Sequence, residues 1–238
     1  MKNNMKHYAY GSPFKMKDSE GVEYTLEVKT DYNPESPRIW DNLCTMVCWH
    51  NRYDLGDKHC YSDPLGLMMS LYREVMNESW FYKHESEEWQ DIVQSLEESD
   101  LILVKAINMY DHSGITVSTS SGYPYNDRWD AGCVGFIYVT KKTILEKTGY
   151  ATEEVWKDVA EDFIKAEMET YDQYLRGETY GYELTKKATV QEKCPHCNEV
   201  IKEYEDEIVE DSCWGFYGDC LEDNGILDNL GDLEFVED

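Results

Sequence analysis

Apolar residues along this chain fall into continuous runs and periodic runs, and the continuous ones lie at its middle. Residues 101–109 (LILVKAINM) are apolar at every position except Lys105 and Asn108. A strand covered on both faces has this pattern. Residues 133–139 (CVGFIYV) form a second such run, rich in β-branched and aromatic side chains. Asp111-His112-Ser113-Gly114 is a short link leading to a third strand, ITVST, and then to a polar loop, SSGYPYNDRWDAG. Its glycine suits the positive φ of a tight hairpin. Three strands and two connections are thus expected between residues 101 and 140. Upstream, residues 22–29 (VEYTLEVK) alternate strictly, predicting a half-buried strand with Val22, Tyr24, Leu26 and Val28 inward.

Helical spacing appears on both sides of this centre. Asp63-Pro64 supplies an N-cap and an N1 proline, and Leu65, Met68, Met69, Tyr72, Val75 and Met76 follow on one face. Ser86 opens a second helix bearing Trp89, Ile92, Val93 and Leu96, and residues 141–147 form a short one stopped by Gly149. Thr152 caps the longest helix, whose stripe is Val155, Trp156, Val159, Ala160, Phe163, Ile164, Tyr171 and Leu175, closed by Arg176-Gly177. Residues 180–184 and 200–209 then read as a strand and its return, the latter with an acidic face. The expectation is an α+β fold with a central antiparallel or mixed sheet, helices packed on it and a C-terminal hairpin. Residues 1–20 read as a flexible arm, 21–187 as the core domain and 188–238 as an acidic extension packed on it.

Charge narrows the function. With 22 Lys and Arg against 49 Asp and Glu, the net charge is -27. That surface repels nucleic acids and anionic membranes, so direct binding to either is not expected. The acidity is consistent with solubility, with cation binding, or with imitation of the phosphates a basic partner grips. Fourteen acids and no Lys or Arg lie between Glu203 and Asp238, more than half of the net charge in 36 residues. Glu203, Glu205, Asp206, Glu207, Glu210 and Asp211 are the candidate partner-binding residues. The opening MKNNMKHYAYGSPFK has no apolar core of a secretory signal, and no run is long enough to span a membrane, so a cytoplasmic protein is expected.

Three segments carry candidate chemistry. Residues 37–63 are dense in Trp, His, Cys, Arg and Asp, with His50, Asp54, Asp57, His59 and Cys60 close in sequence. Their spacing matches no defined metal motif, and a hydrogen-bonded loop with Arg52 paired to an Asp explains them equally. His50, Asp111, His112, Asp127 and Asp130 are the acids, bases or ligands a catalytic or small-molecule site would use, although turn chemistry also accounts for Asp111 and His112. Cys194-Pro195-His196-Cys197 at a hairpin tip has the form of a zinc knuckle. With Cys213 and Cys220 it would make a structural four-thiolate zinc site. Eight Cys without an export signal favour thiols or metal ligands over disulfides.

The blocks PRIWDNLCTMVCWHNRYDLGD (37–57), YDHSGITVSTSSGYPYNDRWDAGCVGFIYV (110–139), YDQYLRGETYGYEL (171–184) and DSCWGFYG (211–218) resemble a family of acidic hypothetical proteins of bacteriophages and mobile elements. The family has no established activity or catalytic residues. The resemblance implies an accessory protein acting in the cytoplasm of a bacterial host. Two expectations follow. One is an inhibitor of a basic defence protein, such as a restriction nuclease or Cas effector, by DNA mimicry of the anti-CRISPR or antirestriction kind. The other is a metal- or nucleotide-dependent enzyme or binder built on the His50/Asp111 connections.

Overall fold

A computed structural model describes residues 6–80, 88–120 and 131–236. The chain forms two compact units, one of Ser36–Arg176 and the other of Met1–Glu35 with Gly177–Asp238. Both are built on antiparallel sheets, so the fold is α+β. Boundaries expected near residues 20 and 187 differ from this division. The reason is a strand pairing: β2 (Glu23–Thr30) lies against β7 (Thr179–Lys193), drawing both chain ends into one sheet.

The unit Ser36–Arg176 is three layers deep. Its sheet has the order β3 (Thr45–Cys48), β6 (Ala131–Thr140), β4 (Ile102–Asp111), β5 (Ile115–Ser118). The two continuous apolar runs of the sequence are β4 and β6, paired in the middle from Ile102↔Thr140 to Tyr110↔Ala131. Side chains of β4 divide as the pattern requires. Leu103, Ile107 and Met109 share a cluster with Trp156, Ala160, Ile164, Met168 and Tyr171 of α4 (Trp156–Arg176). Ile102 and Val104 instead meet Leu67, Met68 and Leu71 of α1 (Pro64–Met76) and Ile92 and Leu96 of α2 (Trp89–Glu98). Each fully buried side chain of this size contributes about 1.5–3 kcal/mol, so both helical layers are held by the sheet.

Cap chemistry sets the helix ends. Asp63 accepts from Gly66 N–H at 2.8 Å ahead of α1, and Thr140 accepts from Thr143 N–H ahead of α3 (Lys141–Thr148). Gly149 closes α3 at φ 71°, a left-handed conformation that glycine adopts without strain. The expected start of α4 at Thr152 is corrected to Trp156. The Thr152 hydroxyl is spent on Glu154 at 2.7 Å, and Val155 N–H closes a turn onto the Thr152 carbonyl, leaving Val155 exposed. The expected start of α2 at Ser86 lies outside the described residues.

In the other unit the sheet order is β8 (Val200–Tyr217), β7, β2, β1 (Phe14–Lys17), β9 (Glu234–Phe235). Met16, Leu26, Val28, Tyr182 and Leu184 form its core with Leu221, Ile226 and Leu230, the last three on and around the short helix α5 (Ile226–Asn229). One expectation is corrected here. Residues 6–20 are no loose arm, because Met16 is buried, His7 stacks on Phe235 at 3.7 Å and Lys6 pairs with Asp223. Within the acidic tail, Leu221, Ile226 and Leu230 supply apolar anchors between the acids. Val22 precedes β2 and is exposed.

Asp100 ties three elements of the larger unit together. Its carboxylate takes Lys157 Nζ at 2.7 Å, Lys141 Nζ at 3.1 Å and Trp156 Nε1 at 3.5 Å. Hydrogen bonds from Lys157 and then Lys141 hold its pKa down at about 2, below the value of about 3.9 in an unfolded chain. A depressed carboxylate pKa stabilises the folded state above the unfolded pKa, and that contribution disappears as pH falls toward 2. Asp100→Asn, which tolerates the left-handed backbone at φ 58°, is expected to be less stable than the parent at pH 6. The gap in melting temperature should close between about pH 4 and pH 2. A gap constant over that range would contradict the assignment.

Candidate functional site

Pairing of β7 with β2 stops at Tyr24↔Lys186, whereas pairing of β7 with β8 continues to Lys193↔Val200. Residues 187–193 and 200–207 are therefore a two-stranded ribbon running past the sheet by roughly 23 Å, at about 3.3 Å per residue. Because side chains alternate along a strand, Glu203, Glu205 and Glu207 share one face, across from Gln191, Thr189 and Lys187. Asp206 lies on the other face, across from Ala188. All four acids are exposed. Glu203 accepts a 3.4 Å bond from Gln191 Nε2, and among the described residues no cation pairs with Glu203, Glu205, Asp206 or Glu207. Nearer the sheet the remaining two candidates are engaged. Glu210 pairs with Lys186 at 2.7 Å, and Asp211 accepts from Tyr182 Oη at 2.6 Å. The ribbon is anchored at its base by Trp214, whose ring covers Gly181. A Cβ on Gly181 would come within 2.2 Å of that ring, so only glycine fits.

The same register decides the fate of the four-cysteine site. Cys194 and Cys197 lie at the ribbon tip, but Cys213 stands opposite Tyr182 at its base. Twelve residue positions separate Cys194 from Tyr182, about 40 Å of strand. Cys220 is elsewhere again, bridged to Tyr8 beside Glu222. The expected zinc knuckle closed by Cys213 and Cys220 is therefore corrected: these residues cannot share one ion. Among the described residues no three His, Cys, Asp or Glu side chains converge as metal ligands.

The second candidate region is the segment 37–62. Arg38, with only 4% of its side chain exposed, holds both Asp57 oxygens (Nε–Oδ1 2.8 Å, Nη2–Oδ2 2.9 Å) and donates from Nη1 to Glu167 of α4 at 2.9 Å. Glu167 also accepts from the N–H groups of Leu43 and Cys44, and Asp57 from that of Met46. Burial disfavours the charged guanidinium, yet hydrogen bonds to Asp57 and Glu167 outweigh it and raise the Arg38 pKa. Gly56, at φ 73°, brings its backbone so close to β3 that a Cβ would lie 2.7 Å from the Met46 carbonyl, and its N–H bonds Tyr171 Oη. Asp57 thus serves this anchor. Burial raises the Cys44 thiol strongly and the Cys48 thiol to about 12, so neither is a ready nucleophile or ligand.

This anchor delivers residues 50–53 to the β4–β5 connection. Arg52 Nη2 reaches Asp111 at 2.5 Å, Tyr53 Oη reaches the same oxygen at 3.2 Å, and His50 stacks on Tyr53 at 4.9 Å. His50 Nδ1 accepts from the Arg52 and Tyr53 N–H groups. His50 and Asp111 are thereby brought together through Tyr53, while His112 lies against Tyr110. Asp127 and Asp130 lie outside the described residues. Beside the loop is a cleft of about 620 Å³ lined by Cys48, Trp49, His50, Tyr53, His59 and Ser62, among others. His59 Nε2 bonds the Cys48 carbonyl at 2.8 Å, which fixes the proton on that nitrogen. Its Nδ1 is buried and has no hydrogen-bond partner among the described residues.

Arg38 and Glu167 were missed in the sequence. A signal was present: Glu167 falls beside Ile164 and Met168 on the inward stripe of α4, where a lone carboxylate needs a buried cation. Compared with family models, curated proteins and solved structures, the chain matches none.

Removing one member of a buried ion network strands the others. Arg38→Met is expected to cost about 3–5 kcal/mol in denaturant unfolding, with loss of the ordered 37–62 segment reported by tryptophan fluorescence. A change below about 0.5 kcal/mol, the scale of an ordinary surface substitution, would show that the network is not an anchor.

Proposed function

We propose that this chain is a binding protein that engages a basic macromolecule through the acidic β7–β8 ribbon, its carboxylates standing in for nucleic-acid phosphates. The observation that carries this reading is the row Glu203, Glu205, Glu207, exposed and without cationic partners among the described residues, on an edge strand that extends past its own sheet. Spacing of two residues sets the row at intervals of about 6.6 Å, giving a line of charge and not a diffuse surface. Such a line attracts a basic groove from a distance and aligns it on contact. The net charge of -27 adds attraction at longer range. The partner class is a nucleic-acid-binding defence nuclease of a bacterial host, a restriction enzyme or a Cas effector, which the chain inhibits by occupying its nucleic-acid channel. Charged edge strands also guard against edge-to-edge aggregation, and the test separates that role from recognition.

A second reading, a small-molecule or metal-dependent site at the 37–62 cleft, is favoured by the unpartnered His59 Nδ1. A ligand there would donate a hydrogen bond to Nδ1. A raised melting temperature on adding a nucleotide or a divalent cation, abolished in His59→Ala, would support it, and no shift with any of a broad panel would remove it.

For the principal reading, purified restriction nucleases and Cas effectors are titrated with the chain at increasing salt, with duplex DNA as competitor. Binding is expected to weaken steeply with salt and to be displaced by DNA. At about 0.5 kcal/mol for each exposed charge pair, Glu203→Gln/Glu205→Gln/Glu207→Gln should bind roughly tenfold more weakly with an unchanged melting temperature. Affinity independent of salt, or equal affinity of the triple variant, would overturn the proposal and leave edge protection as the role of the row.

A further inference from the structure

The ribbon tip has the construction of half a metal site. Pro195 follows Cys194, and Asn198 takes φ 61°, the left-handed turn position that Asn tolerates. Asn198 N–H bonds the Cys194 carbonyl at 2.9 Å, and Cys194 N–H bonds the Glu199 carbonyl at 2.8 Å, closing the turn. Inside it the backbone N–H groups of His196 and Cys197 both point at the Cys194 sulfur, and the Cys197 thiol lies within hydrogen-bonding reach of the same atom. The turn thus holds the two sulfurs next to each other, as the two-ligand half of a tetrahedral zinc site requires. The chain offers no completion: Cys213 and Cys220 are far down the unit, and no third ligand converges among the described residues.

We infer that the tip binds zinc between two copies of this chain, each giving Cys194 and Cys197 to one tetrahedral four-thiolate ion. A structural zinc site takes four ligands at about 2.3 Å for sulfur, and a two-fold axis through the ion supplies the missing pair from an identical turn. Access is open, because residues 195–207, the turn and the outer part of β8, are exposed, so two tips can meet head to head. Val200 and Ile201, 48% and 63% exposed beside the turn, add apolar surface for the contact. Charge opposes association without metal: Glu192, Glu199, Glu203 and Glu205 crowd the tip against Lys193 and Lys202. Zinc is therefore required for pairing. The four thiols release their protons to solvent as four Zn–S bonds form.

The test uses the full chain, reduced and stripped with chelator, then titrated with Zn(II) or Co(II) while mass is followed by light scattering. Expected are about 0.5 metal per chain, a mass about twice the 27.9 kDa of one chain, reversal by chelator, and the visible bands of a tetrahedral cobalt thiolate. Cys194→Ser and Cys197→Ser should each abolish uptake and pairing with unchanged circular dichroism, since both lie at an exposed tip. Cys213→Ser should retain both, and so should Glu205→Gln/Glu207→Gln, which separates this site from the acidic-row reading. One metal per monomeric chain, completed by Glu199 and water, would overturn the inference. So would a reduced chain that takes up no metal.

Discussion

Antiparallel register between β7 and β8 is the constraint on which the functional surface depends. It runs from Thr179↔Tyr217 at the base to Lys193↔Val200 at the tip, more than twice the length shared by β7 and β2. Everything proposed for the ribbon is a corollary of that ladder. It turns three glutamates into one row, puts the cysteine pair at the greatest distance from the sheet and parts it from Cys213. An isolated two-stranded hairpin is marginal in water. Here the base is gripped by β2, by Trp214 over Gly181 and by Tyr182 on Asp211, so the free part inherits its order from the sheet.

Charge is distributed with the same division of labour. Cations inside and beside the sheets have structural acids as partners: Arg38 with Asp57 and Glu167, Lys141 with Asp100 and Glu153, Lys29 with Glu183, Lys186 with Glu210. These pairs close loops and fasten helix starts. Four exposed acids of the outer ribbon, Glu203, Glu205, Asp206 and Glu207, have no cation paired with them among the described residues. A surface of this kind is an association device whose strength is set by ionic strength and not by shape alone.

Much of the fold was legible. Continuous apolar runs gave β4 and β6 because both faces of that sheet are covered, and Asp63-Pro64 gave α1 to the residue because cap chemistry is local. What could not be read was long-range pairing. Nothing local in residues 22–29 says that their partner is 180–186 and not the central strands, so one core was expected where two units exist. The anchors of the acidic tail went unnamed for a related reason: Leu221, Ile226 and Leu230 are too sparse to form a periodic signal, yet each fills a core position. Of the site, His50 and Asp111 were named as candidates, whereas Tyr53, which joins them, was not. The anchor that makes them neighbours, Arg38 with Glu167, spans 129 residues and left only one misplaced charge on a helix stripe as its trace.

The ladder between β7 and β8 is not continuous. Between Leu184 and Thr185 the pairing jumps from Asp211 to Val209, leaving Glu210 as the extra residue of a bulge. A bulge is a phase shift of one in an alternating pattern. Upstream of it in β8, every odd-numbered glutamate owes its face to that surplus residue together with the one at Gly215, nearer the base. Point substitutions along the strand leave the phase alone and change one charge at a time. An in-frame loss or gain of one codon near position 210 would instead rotate the whole outer strand by half a period, exchanging the glutamate row for Tyr204 and Asp206 in a single step. The ribbon therefore carries a kind of reading frame, tolerant of replacement and intolerant of insertion, and lineages of this protein should vary in residue identity along β8 far more freely than in its length.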